Sequence, residues 1–178
     1  MIQSSHALPD PEDMMPTALK SVEESVVGSE LLDWLAESPI FEGLGQTALR
    51  AFAHGCELRS FDALDEAIVE GELPAALNIV ISGRFIVLLP SERLTRLGDN
   101  AMLSLDSYIV GDSFGEAALI EDNELPASAS VVATEAAQVL SISRDTFERV
   151  TTADGRIGSV VYRNLFGLQT RRLSSLCA

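Results

Sequence analysis

The chain has 178 residues, 47% of them hydrophobic, and its 12 lysines and arginines face 27 aspartates and glutamates for a net charge of −15. That length suits one globular domain with appendages and an ample single core, while the charge repels a nucleic-acid backbone over most of the surface. No apolar run reaches the roughly 18 residues a membrane span needs, and the start M-I-Q-S-S-H-A-L-P-D-P-E-D lacks the basic and apolar regions of a secretory signal.

Residues 1–28 are rich in Pro, Ser, Met and acids without a sustained period, and read as a tail or a docked arm. Ser29 is placed to cap a helix carrying Leu31, Leu32, Trp34 and Leu35. The turn Ser38-Pro39-Ile40-Phe41 follows, then a second helix from about Gln46 to His54 that Gly55 terminates as a C-cap. Beyond Cys56 the period shortens. Ala67-Ile68-Val69, Leu77 to Ile81, Phe85 to Leu89, Met102 to Val110, Ser130 to Ala133 and Val139 to Ile142 are short and rich in β-branched residues, as buried strands are. Ser82-Gly83 and Pro90 punctuate them. Many short strands broken by Gly and Pro predict a mainly β, α+β architecture, a β-sandwich or jelly-roll barrel.

Between Gly111 and Ala133 the chain reads G-D-S-F-G-E-A-A-L-I-E-D-N-E-L-P-A-S-A-S-V-V-A. A glycine here allows close approach of backbone to a ligand, and a short helix opening after Gly115 presents N–H groups to an anion. Phe114-Gly115-Glu116-Ala117-Ala118-Leu119, a loop, and Pro126-Ala127-Ser128-Ala129 resemble the phosphate-binding cassette of cyclic nucleotide-binding domains. These are the sensor domains of bacterial catabolite-activator regulators and eukaryotic kinase regulatory subunits. The resemblance covers about residues 30 to 176. It implies a jelly-roll β-barrel (double-stranded β-helix) with N-terminal helices and a long C-terminal helix. It also implies a pocket for cAMP or cGMP built from Phe114, Gly115, Glu116, Ala117, Ala118, Ala127, Ser128 and Ala129. In the family the residue matching Glu116 accepts the ribose 2′-hydroxyl. The amides near Ala117 and Ala118 and the hydroxyl of Ser128 match groups that contact the phosphate. Phe41 matches a residue that packs on the barrel, and Gly71 and Gly83 match turn glycines. Two positions depart from the pattern. Leu64 replaces a usual glycine, and Ala127 replaces the arginine that grips the cyclic phosphate. A charge-assisted hydrogen bond of that kind contributes about 1.5–3 kcal/mol, or roughly tenfold to a hundredfold in affinity. Glu121, Asp122 and Glu124 in the same loop add repulsion. Arg84, after the turn at Gly83, and Arg172, on the last helix, are the candidate replacements. Glu116 also reads as an ordinary acidic helix start.

Arg144-Asp145-Thr146-Phe147 opens a short helix like the family's hinge helix, and a longer one starts near Ala153 to Gly155. The longer helix carries two apolar stripes, Ile157, Val161, Leu165 and Leu168 on one and Tyr162, Phe166, Leu173 and Leu176 on the other. A helix with one partner needs one stripe, so a homodimer through the second is expected. Six of the basic residues, Arg144, Arg149, Arg156, Arg163, Arg171 and Arg172, follow Ser143. They mark either a partner surface or complements of a helix dipole. The expected organisation is an arm over 1–28, the β-roll domain with flanking helices over 29–152, and a dimerising helix over 153–178. The chain ends at Ala178 with no helix-turn-helix, so direct DNA binding is not expected, nor is membrane insertion. Cys56 and Cys177 lie far apart without metal-ligand spacing, the usage of a reduced, cytoplasmic protein. His6 and His54 are isolated and no nucleophile–base pair is evident, so no enzyme, metal or bound cofactor is expected. Two functions remain open: a cyclic nucleotide-responsive regulator signalling to a protein partner, or a degenerate fold kept as a dimerisation or interaction scaffold.

Overall fold

The run Leu77-Asn78-Ile79-Val80 is buried along its whole length because its strand is covered on both faces. Leu77 and Ile79 enter one hydrophobic cluster with the helices, and Val80 enters a second between the sheets. The computed structural model describes residues 28–89, 104–119 and 126–176. Its strands are β1 (Cys56–Phe61), β2 (Glu66–Ile68), β3 (Ala76–Ser82), β4 (Phe85–Leu88), β5 (Ser104–Tyr108), β6 (Ser113–Phe114), β7 (Ser130–Ala133) and β8 (Ala137–Ser143). They form two four-stranded antiparallel sheets, β1-β8-β3-β6 and β2-β7-β4-β5. This is the expected jelly-roll, with helices before its first strand and after its last.

Helix α1 covers residues 28–37, so Ser29 lies within its first turn and not ahead of it as a cap. A 3₁₀ turn at Pro39–Phe41 and α2 (Gln46–Ala53) follow. Gly55 is not in the left-handed region. It is small because a Cβ there would collide with the Thr146 side chain of α3. Helices α3 (Arg144–Ala153) and α4 (Gly155–Leu176) close the chain. Ser143 caps α3 by accepting from Thr146 N–H at 3.3 Å. The helical cluster joins Leu35, Ile40, Phe41, Phe52, Phe147, Val161 and Leu165 to the outer face of β3 and β8, and Phe41 stacks on Phe52 at 4.7 Å. Asn164 on α4 donates to the carbonyls of Ile40 and Glu42, both at 2.9 Å.

Strands β1 and β6 were not expected. Four of the six residues of β1 are exposed, so the strand has no apolar signature and exists through its pairing with β8. β6 is two residues long. β5 stops at Tyr108, and Ile109 and Val110 are exposed in the turn that Asp112 closes; Met102 and Leu103 lie outside the described residues.

Leu64 occupies the left-handed region at φ 78° and is 81% exposed. That conformation costs a non-glycine residue about 1–2 kcal/mol. Leu64→Gly loses no packing and adds about 0.5–1 kcal/mol of chain entropy to be ordered. It should leave stability unchanged or raise it by up to about 1 kcal/mol, read as a shift of the urea midpoint without a change of slope.

Candidate functional site

Gly115 sets the cassette. Its φ of +82° is closed to most side chains, and a Cβ there would lie 2.5 Å from the carbonyl oxygen of Ala76 on β3. The chain therefore turns against β3 itself, and Glu116–Leu119 form one short 3₁₀ turn with Ala118 N–H on Gly115 O at 3.0 Å. Ala118 and Leu119 point inward; Glu116 is part-buried.

The Glu116 carboxylate is held from two sides. Ser113 Oγ, buried on β6, donates to Oε1 at 2.8 Å, and Arg172 Nη1 from α4 reaches the same oxygen at 3.1 Å. The two charged side chains are about one-fifth exposed, so the pair is worth about 1 kcal/mol, above the open-surface median. The Arg172 guanidinium also lies over the Tyr108 ring, 4.8 Å from its centroid. Tyr108 starts a ladder of rings through the barrel. It stacks on Phe114 at 5.3 Å, Phe114 on Phe85 at 5.1 Å and Phe85 on Phe61 at 5.5 Å. Arg59 caps the far end, 5.1 Å above Phe61. Burial pushes the Tyr108 phenol up to about 12, opposed by Arg172 and helped by Glu116.

The other half of the cassette is pinned elsewhere. Ala127 N–H donates to Glu72 O at 2.8 Å, and Gly71 N–H donates to Ala127 O at 2.9 Å. Glu70 N–H donates to Ser130 Oγ at 3.0 Å. Pro126 and Ser128 are exposed, and Ala127 and Ala129 are half-buried. A cavity of about 260 Å³ opens beside Gly115, lined by Arg59, Glu66, Ile68, Glu72, Ala76 and Asn78 among others; Ile68, Ala76 and Asn78 are the groups nearest a Gly115 Cβ. None of the eight candidate residues lines this cavity. They flank it, through Gly115 on one side and the Ala127–Glu72 bond on the other. Glu121, Asp122 and Glu124 lie outside the described residues. Of the two candidate replacement arginines, Arg172 reaches the cassette, whereas Arg84 is exposed at the β3–β4 turn.

Sequence reasoning missed Ser113, Tyr108, Arg59 and Arg144. Ser113 sits three residues before Glu116, the reach of a turn hydrogen bond, and that spacing was the available signal. Nothing local marks Arg144, whose Nε donates to Ala118 O at 2.7 Å and ties the first residue of α3 to the cassette turn. The last turn of α4 holds no basic residue, and Arg171 and Arg172 stand just before it.

The regulatory domain of Toxoplasma gondii PKA, solved with cAMP, has the same fold. Its TM-score is 0.66 at 24% identity, with 86% of this chain and 52% of that one covered. The family model of the cyclic nucleotide-binding domain matches residues 58–154, more than half of the sequence, and the chain belongs to that family. It is 30% identical over 139 residues to Glutaminase 1 of Bradyrhizobium diazoefficiens, 78% of this chain and 21% of that protein. It is 30% identical over 118 residues to the cAMP-dependent protein kinase regulatory subunit of Colletotrichum orbiculare, 66% of this chain and 27% of that protein. The chain thus spans about a quarter or less of the length of these curated relatives.

The Tyr108 environment predicts an alkaline effect. An unfolded phenol ionises near its ordinary 10 and the folded one near 12, so between these values the unfolded state binds fewer protons and stability falls as pH rises. Tyr108→Phe should flatten that decline in urea unfolding measured from pH 9.5 to 12.

Proposed function

We propose that this chain is a non-catalytic, cyclic nucleotide-responsive regulatory module of the cytoplasm, in which Arg172 replaces the anchoring cation absent at Ala127. The observation that carries this reading is the 3.1 Å contact between Arg172 and Glu116. It puts a guanidinium from the C-terminal helix at the carboxylate that corresponds to the ribose acceptor. Both bonds to Glu116 fall on Oε1, so Oε2 stays on offer to a ribose hydroxyl. The ligand in this reading is cAMP, cGMP or a related ribose phosphate, seated between Gly115, Glu116, Ser128 and the barrel wall beside the 260 Å³ cavity. Ligand that binds one arrangement of Arg172 better than another shifts α4 between them. Arg144, bonded to Ala118, carries the same change to α3, and a protein partner reads the moved helices.

Titration calorimetry with cAMP and with cGMP tests the reading. Binding at or near micromolar affinity is expected, and Arg172→Ala should weaken it about tenfold or more. Ala127→Arg should tighten it by about tenfold to a hundredfold. If neither the native chain nor Ala127→Arg takes up nucleotide at millimolar concentration, the sensor reading fails.

One observation favours the second reading, a scaffold that has left nucleotide binding. Glu116 already has Ser113 and Arg172 as partners, and Glu66 and Glu72 line the adjoining cavity, which disfavours a phosphate. Both readings share a homodimer through α4. Val161 and Leu165 are buried on the molecule's own core. Tyr162, Phe166 and Leu173 are 49%, 75% and 64% exposed, at spacings of four and seven that place them on one helix face. The Leu176 side chain lies outside the described residues. Phe166→Asp should convert a dimer into a monomer in light scattering while leaving thermal stability of the monomer unit nearly unchanged; a native chain that is already monomeric at micromolar concentration would remove the dimer.

A further inference from the structure

Residues 171–175 read Arg-Arg-Leu-Ser-Ser, and Arg171-Arg172 is the only pair of adjacent basic residues in the chain. Ser174 therefore follows one arginine by two positions and another by three. A kinase that reads basic substrates selects this arrangement, because guanidinium groups there make forked bonds to carboxylates beside its active site. Thr152 and Ser159 also follow an arginine by three but lack the second one.

The fold puts this serine within reach. Arg171 and Ser174 are exposed, and Arg171 makes no ion pair among the described residues. At about 100° per residue, Ser174 stands on the side of α4 away from the buried Val161 and Leu165, and beside the stripe of Tyr162, Phe166 and Leu173. It lies two residues before the helix ends at Leu176. A terminal turn opens at small cost into the extended form that a kinase takes up.

We propose that Ser174 is a phosphorylation site for an arginine-directed serine kinase, and that its phosphate draws Arg172 off Glu116. In the transfer, Ser174 Oγ bonds to the γ-phosphorus of ATP and the bond from that phosphorus to the β-phosphate oxygen breaks. ADP leaves, and the hydroxyl proton passes to a carboxylate of the kinase. Ser174 Oγ donates to the Thr170 carbonyl at 2.9 Å; once esterified it has no proton to donate. It then carries a charge of about −2 at a helix C-terminus, where the helix dipole opposes it, and the last turn unwinds. Arg172 Nη1, 3.1 Å from Glu116 Oε1, gains a dianion two residues along its own chain in competition with a single carboxylate. The site stands whether or not the chain binds a cyclic nucleotide.

Two measurements test this. The full chain is incubated with magnesium ATP and an arginine-directed serine kinase, and the modified residue is located by tandem mass spectrometry. One phosphate on Ser174 is expected, and Arg171→Ala should slow its incorporation by about tenfold or more. No incorporation, incorporation at Ser175, Thr152 or Ser159 in place of Ser174, or an undiminished rate in Arg171→Ala would overturn the site. The second measurement is hydrogen exchange in a chain with phosphoserine encoded at position 174. The Ala118 amide, bonded to Gly115 O in the cassette turn, should exchange about fivefold faster, the fold-change for loss of an ion pair of this exposure. Arg172→Ala should speed the same amide, and phosphoserine should then add nothing. Unchanged exchange at Ala118, or the same acceleration with Arg172 already removed, would overturn the release of Arg172.

Discussion

Strands β3 and β8 must bury both of their faces, and the rest of the molecule follows from that. Their register, Leu77 opposite Ile142 and Ile79 opposite Leu140, turns one set of side chains toward the helices. The alternate set, Val80 and Val139, goes into the barrel. Each fully buried aliphatic or aromatic side chain contributes about 1.5–3 kcal/mol, so helices and barrel are stabilised through the same two strands. Polar residues on the inner face are paired across them: Ser141 Oγ donates to Asn78 Oδ1 at 2.9 Å. That satisfies a buried amide beside Gly115 without water.

The cassette turn is an outgrowth of this seam. Gly115 is pressed on the backbone of Ala76, which leaves no freedom in where Glu116 emerges. From there two arginines of the C-terminal region reach back, Arg144 to the carbonyl at the turn's third residue and Arg172 to the carboxylate at its first. A cassette gripped by both terminal helices is mechanically part of them. Any ligand that alters the Glu116–Arg172 contact acts on α4 directly, and the ring ladder beneath Arg172 provides a stiff wall against which the guanidinium is seated.

Ala127 carries no charge, and the guanidinium at the cassette carboxylate is that of Arg172, from α4. An arginine at position 127 would belong to the barrel and be fixed before any ligand arrived. Arg172 belongs to a helix whose other side, Phe166 and Leu173, is exposed. Affinity in the proposed sensor is therefore coupled to the position of α4 and to whatever covers its apolar face, a coupling that is reciprocal by linkage.

Strands β3, β4 and β7, the cassette turn, helix α2 and both stripes of α4 were legible in the sequence, because each carries a local signature: β-branched runs, G-E spacing, or apolar residues at helical intervals. Strand β1 was not, since Cys56-Glu57-Leu58-Arg59-Ser60-Phe61 is exposed over most of its length and owes its form to β8. The absence of arginine at position 127 was plain in the sequence, and so was the presence of twelve basic residues elsewhere in the chain. Which of them reaches Glu116 was decided by tertiary structure alone. Arg172 and Glu116 are 56 residues apart in the chain, and no local propensity acts over that distance. Only the packing of α4 on the core through Val161 and Leu165, with Asn164 tied to Ile40 and Glu42, sets the angle at which its last turns pass the cassette.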